Sequence, residues 1–194
     1  DGEFFDNVYV RIKGHSSSTQ TKKPHEIAFN KNHPFPFMPG QERVDEVNFN
    51  SLYNDQSYMR EILAWETLRD AGAEYAHCYH VQMRQNGQFH SLVLAVEQFD
   101  GAWLRRMGLD DAGRLFKNAD NQLWLRALTN EYGQTYQLKR PDDGNVQPLA
   151  DLVKHLMNNN AALKQQYAFD HINAPQVINY LAAHMIIQDM DFAH

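Results

Sequence analysis

Between residues 8 and 29 the chain sets four cations around a run of hydroxyls. Arg11 and Lys13 precede it, Lys22 and Lys23 follow it, Gly14 opens the turn, and Ser16, Ser17, Ser18, Thr19 and Thr21 lie inside. Loop amides and hydroxyls donate hydrogen bonds, and ammonium and guanidinium groups add positive charge. That is the chemistry a polyphosphate needs. The flanks alternate in hydropathy, with Val8, Val10 and Ile12 on one side and Ile27 and Phe29 on the other, so the segment reads as strand, polar loop, strand. It is not a P-loop. That motif needs a second Gly followed by Lys and Ser or Thr and then a helix, whereas Pro24 and a β-type run follow these lysines. An ordinary polar hairpin is the competing reading, because short Ser/Thr/Gly loops commonly serve only as turns.

Carboxylates are the second ingredient. A helix is expected over Tyr58–Ala71, capped by Asn54-Asp55 and stopped at Gly72. Met59, Ile62, Leu63 and Glu66 fall at i, i+3, i+4 and i+7 on it, which puts Glu66 on the apolar stripe and obliges it to find a cation. Arg60 or Arg69 would satisfy it locally; the sharper expectation is that Lys22 or Lys23 lies near Glu66. At the other end, Asp189 and Asp191 follow an apolar helical run, a place where acids oppose the helix dipole.

The elements that must position these groups are β-rich first and helical later. Pro34, Pro36 and Pro39 forbid regular structure in Lys31–Gly40, whose Phe35, Phe37 and Met38 should pin the connector to the body. Val44–Phe49 is a short strand. His77–Gln85 and Gln88–Glu97 flank Asn86-Gly87, the strongest short-range hairpin signal. A helix is expected over Ala102–Met107 and a short strand over Gly113–Lys117. Residues 118–147 are weakly patterned and read as a surface excursion. Helices follow at Leu149–Asn158, at Asn160–Phe169 and from Ala174-Pro175 onward, the last apolar enough to be a core helix. The pattern is α+β, with a β-rich unit over residues 1–100 and a helical one over 101–194.

At 194 residues, 43% apolar and 22% charged, the chain can build one good core or two small lobes. No apolar run reaches the length of a membrane span. A net charge of −6 argues against a nucleic-acid partner and leaves the locally basic loop to a small anion. A single cysteine, Cys78, rules out an intrachain disulfide and a cysteine-rich zinc site. The ten histidines include no His-Glu-x-x-His pair, and no Gly-x-Ser-x-Gly elbow accompanies the serines, which argues against a metal hydrolase and a serine hydrolase.

Four segments in order carry a resemblance: Arg11-Ile12-Lys13-Gly14-His15-Ser16-Ser17 with Lys22-Lys23 and Ile27-Ala28-Phe29; Asp55–Arg60 leading to Asp70-Ala71-Gly72; Asn86-Gly87 with Val96–Asp100; and Asn179–His184 running into Asp189-Met190-Asp191. Across residues 7–117 and 170–194 the chain resembles the spore-coat protein H (CotH) kinase family. The resemblance implies a protein-kinase-like fold and transfer of the ATP γ-phosphate to Ser or Thr of a secreted, cell-surface or spore-coat protein, with Mg²⁺ or Mn²⁺. It implies that Lys13, Gly14, Ser16 and Ser17 cover the nucleotide and that Lys22 or Lys23 meets its phosphates. Glu66 would orient such a lysine, Glu97 or its backbone would meet the adenine, and Asp191, with Asp189 second, would be the catalytic carboxylate. The metal-binding Asn and a later Trp-Asp segment would lie beyond His194, so the chain is expected to be a piece of a longer protein, inactive alone. The alternative is a kinase-shaped interaction module without catalysis.

Overall fold

The computed structural model describes residues 2–118, 126 and 128–189. The chain divides into two compact units, Asp1–Arg69 with Tyr75–Trp103, and Asp70–Glu74 with Leu104–His194. Its class is α+β.

The first unit is built on five antiparallel strands: β1 (Tyr9–Ile12), β2 (His25–Ala28), β3 (Glu46–Asn50), β4 (Cys78–Gln85) and β5 (Gln88–Glu97), in the order β1-β2-β3-β5-β4. Asn86 and Gly87 both take positive φ, 51° and 78°, which a type I′ turn demands at its two central positions, so the β4–β5 hairpin forms as its turn residues dictate. β5 is an interior strand between β3 and β4 and reads Val93-Leu94-Ala95-Val96, all buried, because both faces of the sheet are covered there. On one face Val47 and Ala95 pack with Phe37 and Val44, and the Phe29–Phe35 rings stack at 4.8 Å, so the proline-rich connector is pinned as its aromatics require. On the other face Leu94 and Val96 pack with Leu52 and Ala76 and with Ile62 and Trp65 of the helix α1 (Arg60–Asp70).

α1 begins two residues later than its pattern suggests. Tyr58 has φ 58°, outside helical space, and the Asp55 carboxylate accepts from the amides of Ser57 and Arg60 at 3.0 and 2.8 Å, ending the turn and opening the helix. The expected inward stripe is also rotated. Met59 and Leu63 are exposed, as is Glu66, while Ile62 and Trp65 pack on the sheet and Leu68 is buried. Trp65 and Leu68 carry more apolar area than Met59 and Leu63 can offset, so they choose the buried face.

α2 (Gly101–Arg106) straddles the unit boundary. The second unit holds a two-stranded sheet of β6 (Leu115–Asn118) and β7 (Tyr136–Arg140), the short α3 (Tyr132–Thr135), and α4 (Gln147–Leu156), α5 (Ala161–His171) and α6 (Ala174–Ile187). The expected surface excursion over 118–147 is overturned within its described part. Tyr132 and Tyr136 are buried with Leu149, Ala150 and Val153, two aromatics four apart supplying the core that the weak periodicity hid. The expectation that α6 is a core helix is likewise corrected: Ala183 and His184 are buried, but Ile178, Met185 and Ile186 are 66–73% exposed.

Candidate functional site

The loop between β1 and β2 is closed at its neck, where the Lys13 amide donates to the Pro24 carbonyl at 3.1 Å. Inside it, Ser16–Thr19 form one 3₁₀ turn, with Ser18 Oγ donating to the His15 carbonyl at 2.6 Å and Thr19 Oγ1 to that of Ser16 at 2.7 Å. Gly14 is obligatory here on two counts. Its φ is +84°, and a Cβ on it would sit 2.0 Å from Ser17 Oγ, so the loop folds against bare backbone.

Below this loop lies a cavity of about 340 Å³ lined by Lys13, Ser17, Gln20, Asn50, Asp55, Arg60 and Glu61 among others. Lys13 Nζ donates to Asn48 Oδ1 at 2.6 Å and to Asn50 Oδ1 at 3.3 Å. Asn50 Nδ2 donates in turn to Glu61 Oε1 at 2.5 Å, and the Glu61 carboxylate feels the Lys13 charge. A cation on the strand side is thereby tied to a helix carboxylate through one amide, that of Asn50. Burial pushes the Glu61 pKa up, against the lowering effect of Asn50 and then of Lys13. A second network runs alongside: Asn48 Nδ2 donates to Gln98 Oε1, Gln98 Nε2 to Glu46, and Arg11 Nε to the buried Glu26 at 2.6 Å.

The structure brings Lys13, Gly14, Ser16 and Ser17 into one loop and places Lys13 and Ser17 on the cavity. It does not bring Lys22 or Lys23 to Glu66. Lys22 Nζ donates to the Leu92 carbonyl and lies 4.6 Å from the Tyr58 ring centroid, and Lys23 Nζ donates to the Ser18 and Gln20 carbonyls at 2.8 and 3.2 Å. Glu66 is exposed and pairs with neither among the described residues. The carboxylate coupled to a loop cation is Glu61, five residues earlier. Sequence patterning missed it along with Asn48 and Asn50, although both left a signal. In Glu46-Val47-Asn48-Phe49-Asn50 the apolar residues take one face and the two amides the other, and Glu61 stands at i−4 and i−7 from Trp65 and Leu68.

Glu97 is buried at the end of β5, where its Oε2 accepts from the His77 amide at 2.9 Å. In the second unit Asp189 Oδ2 meets His184 Nδ1 at 2.9 Å just past α6, the Tyr180 ring lies 4.1 Å from that imidazole, and burial, then Asp189, raises the Tyr180 pKa. Gln176 and Asn179 donate to the carbonyls of Gly72 and Ala71, so two of the segments that carried the resemblance meet here. Asp191 lies outside the described residues.

The donor set around the first cavity fits a nucleotide's phosphates: an oriented ammonium, the Arg60 guanidinium and the Ser17 hydroxyl, under a loop whose Gly14 leaves no Cβ in the way. Among the described residues no three His, Cys, Asp or Glu side chains converge as a divalent-cation site, so the metal has no assigned ligands. No curated protein matches the chain. A family model described as CotH kinase protein matches residues 10–194, nearly the whole chain. The chain belongs to the CotH kinase protein family.

Proposed function

We propose that the protein transfers the γ-phosphate of ATP to Ser or Thr of a secreted or coat protein, with Mg²⁺ or Mn²⁺. The observation that carries this reading is the Lys13–Asn50–Glu61 chain of polar contacts at the cavity below the Gly14 loop. Phosphoryl transfer asks a protein mainly for positioning and charge neutralisation. Lys13 and Ser17 take the phosphates, and Glu61 acts through Asn50 to hold Lys13 in place. The loop amides add donors that need no reorganisation. Glu97, or the backbone beside it, is assigned to the adenine. Asp191 is assigned to the acceptor hydroxyl, whose proton an aspartate takes as the oxygen attacks phosphorus, with Asp189 the second choice. A bound divalent cation would offset charge on the phosphates.

Transfer of radiolabelled phosphate to a Ser-containing acceptor by the full protein tests the reading. Asp191→Asn should lower the rate by about 10²–10⁴-fold with nucleotide binding nearly intact, the usual range for a lost general base. Lys13→Gln should lower the rate by about 10²–10³-fold and weaken nucleotide binding as well. Full activity in Asp191→Asn with loss in Asp189→Asn would move the role to Asp189. Absence of transfer by the wild type to every acceptor would favour a non-catalytic interaction module.

A further inference from the structure

A second cavity of about 560 Å³ lies in the same unit, where β3 stops short of its neighbours. β3 ends at Asn50, paired with Leu94, and its last pairing with β2 is Phe49 with His25. The residues beyond, Thr21–Lys23 on one side and Phe89–Leu92 on the other, have no strand between them. Lys22 bridges part of the notch by donating from its ammonium to the Leu92 carbonyl. The volume is that of a small-molecule site.

The lining has one sign and one texture. Lys22, Lys23, His25 and His90 border it, and no Asp or Glu does, in a chain whose net charge is −6. Its walls include the rings of Tyr53, Tyr58 and Phe89, of which Tyr53 and Phe89 are largely exposed. Cations beside aromatic faces select a ligand that is both anionic and planar.

We propose that this cavity is a second ligand site, separate from the nucleotide-phosphate cavity, that binds an aromatic ring carrying a phosphate monoester. The ring stacks on Tyr53 and Phe89, and the phosphate takes its donors from Lys23 and His90. The two cavities share Tyr53 and flank the Gly14–Thr21 loop, and Lys23 holds the Ser18 and Gln20 carbonyls of that loop. A phosphate that draws Lys23 away therefore loosens the loop over Lys13, which makes the site an effector site.

Titration calorimetry of the full chain with phenyl phosphate and with inorganic phosphate, at low ionic strength, tests the site. Phenyl phosphate should bind about tenfold tighter than inorganic phosphate, since only it can stack. Lys23→Gln and the exposed-site variant His90→Gln should each weaken it about three- to tenfold, while Lys13→Gln leaves it within about twofold. Nucleotide binding at the first cavity should weaken in Lys13→Gln and stay within about twofold in His90→Gln, so failure of one site is distinguishable from failure of the other. O-Phosphotyrosine, an aryl phosphate like the probe, should compete against phenyl phosphate more strongly than adenosine monophosphate, whose phosphate is carried on ribose, and the reverse order would overturn the proposal. Binding of phenyl phosphate no tighter than inorganic phosphate, insensitivity to His90→Gln, or loss on Lys13→Gln would each overturn the proposal.

Discussion

Glu61 and Gly14 are the two positions at which the reading of the site is most exposed to test. Burial raises the Glu61 pKa, so the folded state holds this proton more tightly than the unfolded chain does. The sign follows: its contribution to stability is complete below the ordinary glutamate value and is lost as pH rises through the raised folded value. Glu61→Gln should therefore flatten the fall in stability on going from about pH 4 to about pH 7. The same substitution should lower phosphoryl transfer, because a neutral amide no longer holds Lys13 by charge. Denaturant melts across that pH range, read beside the transfer rate, separate the two effects, and equal pH slopes for both proteins would remove Glu61 from its buried role. Gly14→Ala should cost about 1–2 kcal/mol, from the left-handed φ and the collision with Ser17 Oγ. Ser17→Ala should recover part of that cost in the double variant, and thermal melts of the four proteins in the cycle measure it.

At the scale of elements, β5 and α6 make opposite predictions. Leu94 is fully buried between the sheet's neighbours and α1, so Leu94→Ala should lose about 2–5 kcal/mol, the range for a truncated core leucine. Ile186 is apolar and sits on an apolar helix, yet 73% of its surface is exposed. Ile186→Lys should therefore change stability by no more than about 0.5 kcal/mol, as at other surface sites. Denaturant midpoints of the two variants compare them directly, and a large loss in Ile186→Lys would restore α6 to the core. α5 is independently anchored at its start, where the Asn160 side chain accepts from the amides of Ala162 and Leu163, and Asn160→Ala should cost about 1 kcal/mol.

For the whole molecule, 24 acids against 18 bases leave a net charge of −6. The cations of the Gly14 loop are tied down: Lys13 to asparagines, Lys22 and Lys23 to carbonyls, Arg11 to Glu26. Held in this way, they do not form a stripe that follows a nucleic-acid backbone. Gel-shift titration should find binding to duplex DNA weaker than about 10⁻⁴ M at physiological salt, the weak end of non-specific binders. No helix among the described residues is long and apolar enough to cross a membrane.

What was legible in the chain was everything governed by short-range chemistry. Asn86-Gly87 can hardly do other than turn, prolines keep residues 34–39 out of regular structure, and the β1 and β2 alternation frames the Gly14–Thr21 loop. The family was legible for the same reason, since four ordered segments survive translation into a string. What only the tertiary structure decided was which side chains face each other across the sheet. Glu66 looked inward because Met59, Ile62 and Leu63 shared its stripe, but Trp65 and Leu68 bury more area and turned the helix so that Glu61 meets Asn50. Lys13, Lys22 and Lys23 are alike in sequence. The early end of β3 is what sends Lys22 and Lys23 to one cavity and leaves Lys13 at another, a difference of strand length and register that no local pattern encodes.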